Sequence, residues 1–187
     1  MAATNVDIAN SALSKLGAEE ITSLSDNTRR AKLVNRQFDK IRKKLLRSHP
    51  WNFAIKRSAL TEDASSPAFE YDNQFVLPSD FLRAVREEYK DTDFKVEGNL
   101  LLANQDSFNL VYIADITDPT EFDATFDELF ALTLAYELSY PLVQSMSLKD
   151  MLQKELMNFD LPDARSFDAQ EGQPEEFEAN VWLDSRK

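Results

Sequence analysis

Apolar residues recur at helical spacing at both ends of the chain and lose that spacing in the middle. Val6, Ala9, Leu13 and Leu16 step by three and four, the interval that gathers side chains on one helix face. Thr4 with Asp7 three residues later is a capping-box signal, and Gly17 supplies a stop. A first helix is therefore expected between them. The polar linker AEEITSLSD follows, with Ile21 and Leu24 as its anchors. A second helix is expected from about Asn27 to Ser48, because Ala31, Val34, Phe38, Ile41 and Leu45 again repeat in threes and fours. At ~1.5 Å per residue this is a rod of roughly 30 Å. Pro50 disfavours helical backbone at His49 and lacks an amide proton, so the rod must stop there.

From Trp51 to about Ile116 the pattern changes to short extended segments. NFAIKRSAL partly alternates, FEYDNQFVL allows a reversal at Asp72 and Asn73, and FLRAVREEY follows LPSD. In FKVEGNLLLA, Gly98 and Asn99 stand between two apolar-rich runs as a two-residue hairpin turn requires. LVYIADI completes four or five strands of one small antiparallel sheet. The helical spacing then returns. FDELFALTLAYELSYPLV is apolar on most faces, which marks a helix central to a core or a subunit contact, ended or kinked by Pro141. Ser147 with Asp150 caps a further helix with Leu148, Met151, Leu152, Glu155, Leu156 and Phe159 on one stripe.

The expected fold is α+β: a mainly helical body of about four helices, an inserted antiparallel β subdomain and an extended C-terminal tail. The boundaries fall at residues 1–50 for an N-terminal helical pair, 51–117 for the β subdomain, 118–160 for the completing helices and 161–187 for an acidic tail. Within that tail EEFEANVWLD carries Phe177, Val181, Trp182 and Leu183 as apolar hooks, a composition that orders on a partner or packs back on the chain's own helices.

Charge adds a division that hydropathy does not show. Arg29, Arg30, Lys32, Arg36, Lys40, Arg42, Lys43, Lys44, Arg47, Lys56 and Arg57 face one acid, Asp39, within residues 29–57, although the whole chain carries a net charge of -12. Such asymmetry suits either an oligomer in which basic and acidic faces meet or a polyanion partner for one face. The candidate subunit or partner contacts are Arg29, Arg36, Lys40, Lys43 and Arg47 on the second helix, with Phe177, Trp182 and Leu183 in the tail. Nucleic-acid binding by the basic helix is the alternative, although no helix-turn-helix partner and no interleaved aromatics accompany its cations.

The search for chemistry excludes more than it offers. Cysteine is absent, which removes disulfides, thiolate metal sites and cysteine nucleophiles. Three glycines, Gly17, Gly98 and Gly172, cannot compose a phosphate-cradling loop or a dinucleotide fingerprint. His49, the one histidine, has no second histidine to share a metal and reads as a helix-end residue before proline, with Ser48 its neighbour in sequence only. Asp115, Asp118, Glu121 and Asp123 read as a loop leading into a helix start, with Asp118 or Thr120 near the cap. No catalytic residue, no cofactor and no metal is expected. No stretch approaches the roughly 20 apolar residues of a membrane span, and the start MAATNVDIAN has neither a basic leader nor an apolar run, so a soluble, unsecreted protein is expected.

The letters themselves carry a likeness. NSALSKLGAEEITSLSDNTRRAKLVNRQFDKIRKKLLRSHPWNFAIKRSAL, then LPSDFLR, FKVEGNLLL, LVYIADITDPTEFDATFDELFALTLAYELSYPLVQS, SFDAQEG and VWLDSR occur in that order. Together they resemble the tail tubular protein A family, the head-to-tail adaptors of short-tailed bacteriophages and related prophages. PWNFA and LPSDFLR are the more specific parts. The resemblance implies a structural virion protein located in the tail or neck and assembled in the host bacterial cytoplasm. It implies a homo-oligomeric ring, commonly of about twelve copies, between the portal protein and the distal tail tube or nozzle, with phage DNA passing through the channel without sequence-specific binding. It brings no catalytic residue. In such a molecule SHPWNFA is expected to be a joint, where Pro50 breaks the second helix and Trp51 and Phe53 pack helices and sheet together.

Overall fold

The computed structural model describes residues 4–85, 89 and 92–171. Helix α1 spans Asn5–Lys15 and opens on the expected box: the Asp7 amide donates to Thr4 Oγ1 at 3.2 Å while Asp7 Oδ2 accepts from the Thr4 amide at 2.9 Å. The left-handed Gly17, at φ 65°, turns the chain out of it. The linker is pinned by Asn10, whose amide group both donates to and accepts from the Ile21 backbone at 3.0 and 2.9 Å.

Helix α2 spans Arg29–Ser48, capped by Thr28 rather than beginning at Asn27. Its buried face is the anticipated stripe, Ala31, Val34, Phe38, Ile41 and Leu45, with Leu46 and Arg42 added. His49 takes extended backbone, φ -148° and ψ 148°, as a residue before proline should. The helix end leaves carbonyls without intrahelical donors, and Leu45 O is supplied twice, by Ser48 Oγ at 2.7 Å and by the Trp51 indole N–H at 2.9 Å.

The β module contains two antiparallel sheets rather than one. The first has the order β1 (Ile55–Ala59), β7 (Asn109–Ala114), β4 (Phe81–Ala84); the second has the order β2 (Thr61–Glu62), β3 (Asn73–Val76), β6 (Leu100–Ala103), β5 (Phe94–Glu97). The chain changes sheet at Leu60, between β1 and β2. The hairpin at Gly98 and Asn99 forms as expected, with Glu97 opposite Leu100 and Gly98 at φ 62°. The reversal expected at Asp72 and Asn73 does not: Phe69 to Tyr71 form no strand, and Asn73 is already the first residue of β3. Residues 86–88 of FLRAVREEY lie outside the described residues.

Helix α3 spans Ala124–Val143 and is the central element, packing against α1, α2, α4 and α5. Pro141 lies inside its last turn and does not end it; Gln144, left-handed at φ 56°, does. Helix α4, Met146–Glu155, is capped by Ser145 rather than Ser147, and its Met151 points outward at 55% exposure while Leu152 and Leu156 are buried. The side chain of Phe159 lies outside the described residues.

One expectation is corrected here. The first eleven residues assigned to an extended tail form helix α5, Leu161–Glu171, joined to α4 by a π-helical segment at Leu156–Asp160. Ala164 is buried against the body. Asp168 is tied at three points: Oδ1 accepts from the Asn52 amide at 2.7 Å, Oδ2 lies 2.9 Å from His49 Nε2, and its carbonyl accepts from Asn52 Nδ2. The fold is thus α+β, helices outweighing strands, with five α-helices among the described residues.

The joint after Pro50 organises the interior. Trp51, 1% exposed, meets Phe126 edge-on at 5.2 Å, and Phe53 meets Phe126 at 5.0 Å and Phe122 at 5.8 Å. The chain of rings continues from Phe126 to Phe130 at 6.3 Å and from Phe130 to Phe38 of α2 at 4.7 Å. Truncating Trp51 removes its ring contacts and one donor to Leu45 O. Trp51→Ala is expected to lose about 3–5 kcal/mol of stability, measured by urea unfolding; a loss below about 1 kcal/mol would contradict a packing role for this residue.

Candidate functional site

The cations of α2 divide into two groups according to where their partners lie. Arg42 is 5% exposed, an unusual depth for a charge, and is held by Asp39 at 2.6 Å and Asp115 at 3.1 Å. Lys43 reaches the same Asp115 at 3.3 Å. Arg30 pairs with Glu19 at 2.6 Å, Arg29 donates to Pro141 O at 2.9 Å, and Arg47 donates to Leu82 O at 2.7 Å, tying α2 to β4. Lys44 lies 3.8 Å from Glu137. These residues brace the fold. Lys32, Arg36 and Lys40 are exposed and make no hydrogen bond or ion pair with any described residue.

Of the candidate contacts read from the sequence, Arg36 and Lys40 are exposed and unpaired among the described residues, whereas Arg29, Lys43 and Arg47 serve internal bonds. Lys32 was missed and joins the free pair. At about 100° per residue, positions 32, 36 and 40 fall within roughly 80° of helix circumference, opposite the apolar stripe. They form a cationic row about 12 Å long. Phe177, Val181, Trp182 and Leu183 lie outside the described residues.

The opposite sign is concentrated elsewhere. Residues 96–148 contain nine acids and no lysine or arginine. Five of those acids lie between Asp118 and Glu128, on the loop and first turn of α3. Asp118 caps the short turn Pro119–Glu121, and the Thr120 amide and hydroxyl that it accepts hold its carboxyl below the usual range. Asp123 caps α3 through the Thr125 amide at 2.7 Å. Glu121 is exposed, and Glu128 pairs with Lys15. Asp127 differs: burial, then repulsion from Asp123, pushes it up to about 6, and its Oδ1 is enclosed without a hydrogen-bond partner among the described residues.

The residues weighed for chemistry have structural occupations. Ser48 Oγ faces the α2 backbone and His49 faces Asp168, so the two do not pair. Among the described residues no group of three or more histidine, aspartate or glutamate side chains is placed to hold a metal ion. A polar recess of about 490 Å³ lies between α1 and α3, lined by Asp7, Asn10, Ser11, Ser14, Lys15, Glu20 and Glu128. No helix among the described residues is long and apolar enough to cross a membrane. What the geometry offers is surface: the cationic row, the acidic corner at 118–128, and exposed Tyr140, Val143, Met146 and Met151 where α3 passes into α4.

No protein-family model matches the chain, and no characterised protein is significantly similar to it in sequence.

The acidic corner yields a pH-dependent expectation. Asp127 has a folded-state pKa above its unfolded value of 3.8, so the native state holds its proton more tightly and stability falls as pH rises between about 4 and 6. Above that window the destabilisation is complete. Asp127→Asn should therefore raise stability by on the order of 1 kcal/mol at pH 7, after allowance for solvent screening of a partly exposed group. The gain should fade below about pH 4. Thermal unfolding of both proteins across that range checks it; an equal gain at every pH would contradict the assignment.

Proposed function

We propose that this protein is a structural component of a bacteriophage virion, a head-to-tail adaptor that forms an oligomeric ring between the portal and the tail tube, through which phage DNA passes. The reading rests on the resemblance to the tail tubular protein A family carried by the ordered segments quoted from the sequence. Its segments include structurally decisive positions. PWNFA is the aromatic joint, LPSDFLR is the turn into β4 at the α2 contact, and FKVEGNLLL is the β5–β6 hairpin.

The surface supports the same reading. A ring interface is heterologous, each subunit presenting one face to a different face of the next. Cations left without a partner among the described residues on one helix and acids gathered at the far end of another suit that arrangement. Exposed apolar side chains at Tyr140, Val143, Met146 and Met151 add a surface of the kind that partners cover. In this reading α2 contacts a neighbouring subunit or the portal, and DNA meets a mainly acidic wall that lets it slide. A second reading, a nucleic-acid-binding regulator, is favoured by the free row Lys32, Arg36 and Lys40, since phosphate binding needs clustered cations.

Reversal of Lys32, Arg36 and Lys40 to Glu separates the two. Binding to the purified portal ring, followed by co-sedimentation, should be lost in the triple variant while circular dichroism shows the fold retained. Assembly on the portal at the wild-type level, combined with loss of salt-sensitive binding to duplex DNA, would contradict the adaptor assignment of this face and support the regulator.

A further inference from the structure

We infer that the row Lys32, Arg36 and Lys40 of one subunit docks on the acidic corner at residues 118–128 of a second copy of the same chain. The inference rests on the oligomeric part of the adaptor reading and supplies the two faces that part requires.

The partition of α2 is the first argument. Arg29, Arg30, Arg42, Lys43, Lys44 and Arg47 find acceptors within the chain, and Lys32, Arg36 and Lys40, spaced four apart, do not find one among the described residues. A single outward row with a single sign fits an anionic surface of similar extent.

Charge complementarity within the sequence is the second. Asp118 and Glu121 project from the loop before α3, Asp123 and Asp127 lie in the turn that follows, and no cation occurs from residue 96 to 148 to neutralise them locally. Asp127 adds a carboxylate whose enclosed Oδ1 has no hydrogen-bond partner among the described residues.

The third argument is that the two faces cannot meet within one molecule. The acidic corner is fixed beside the end of α2, where Phe122 packs on Phe53 at 5.8 Å and Phe126 on Trp51 at 5.2 Å. Arg36 lies about 20 Å back along the rod at ~1.5 Å per residue. The beginning of that rod is held at the opposite end of α3, where Arg29 bonds Pro141 O. Row and corner therefore belong to different regions of the surface, the geometry of a head-to-tail contact that repeats from copy to copy. Individual exposed pairs contribute little affinity, and the charges act chiefly by selecting partner and register.

The chain has no cysteine, so single cysteines report contacts without background. Arg36→Cys and Glu121→Cys, each made in the full chain, are mixed at high protein concentration and treated with a short bismaleimide. The mixed 36–121 product should form at least several-fold faster than the 36–36 or 121–121 products, and the preference should disappear as salt is raised. Equal rates for all three pairings would overturn the inference, as would a preference unaffected by salt. Loss of the mixed product on addition of a 30-base-pair duplex, with tight salt-dependent duplex binding by the wild type, would also overturn it and assign the row to nucleic acid. Portal binding by the same samples is scored separately: portal binding without the mixed cross-link removes this contact and leaves the adaptor reading standing, whereas the cross-link without portal binding does the reverse.

Discussion

The packing of Trp51 and Phe53 against the start of α3 is the constraint on which the rest of the architecture depends. Pro50 forces α2 to stop, and a helix stopped inside a protein must dispose of its last carbonyls. The indole of Trp51 accomplishes both tasks at once. Its ring fills the space between α2 and Phe126, and its N–H satisfies Leu45 O. Because β1 starts at Ile55, directly after the turn Asn52–Ala54, the position of the first sheet follows from the position of this ring. The series Trp51, Phe126, Phe130 and Phe38 then ties the joint back to the middle of α2.

Polar pins secure what the aromatic core positions. Arg42 and Asp115 join α2 to the exit of β7, Arg47 joins α2 to β4, and Asp168 joins α5 to His49 and Asn52. A charge as buried as Arg42 is tolerable because two carboxylates meet it. Internal use of so many cations changes the meaning of the basic helix. It is less a polyanion-binding rod than a brace with one exposed row, Lys32, Arg36 and Lys40, that has no partner among the described residues.

How much of this was legible in the sequence depends on whether an element is held by its own periodicity or by distant partners. The capping box of α1, the buried stripe of α2, its stop at Pro50 and the Gly98–Asn99 hairpin are local, and each is found where its residues indicate. The split into two sheets was hidden because β2 has only two residues and the change of sheet occurs at Leu60, with no turn signal to mark it. Helix α5 was hidden because a small side chain, Ala164, and a polar one, Asp168, anchor it, and neither registers as an apolar stripe. The division of the α2 cations was hidden because their acceptors lie far away in sequence: Asp115 is 73 residues from Arg42, and Pro141 is 112 from Arg29. Counting charges identified the helix; only the fold separates Lys32, Arg36 and Lys40 from the rest.

A closely packed joint between helices and sheets would suit the proposed ring subunit, because a subunit that flexes between its modules cannot hold a repeated interface in register. The claim that one aromatic joint unites the two modules is tested most directly by native-state hydrogen exchange, read by mass spectrometry on peptides from α3 and from β7 while denaturant is increased below the unfolding transition. A single cooperative unit predicts that both sets of peptides converge on one opening free energy with the same denaturant dependence. Opening of β7 at lower denaturant, with α3 still protected, would contradict it and show the β module to be an independent unit.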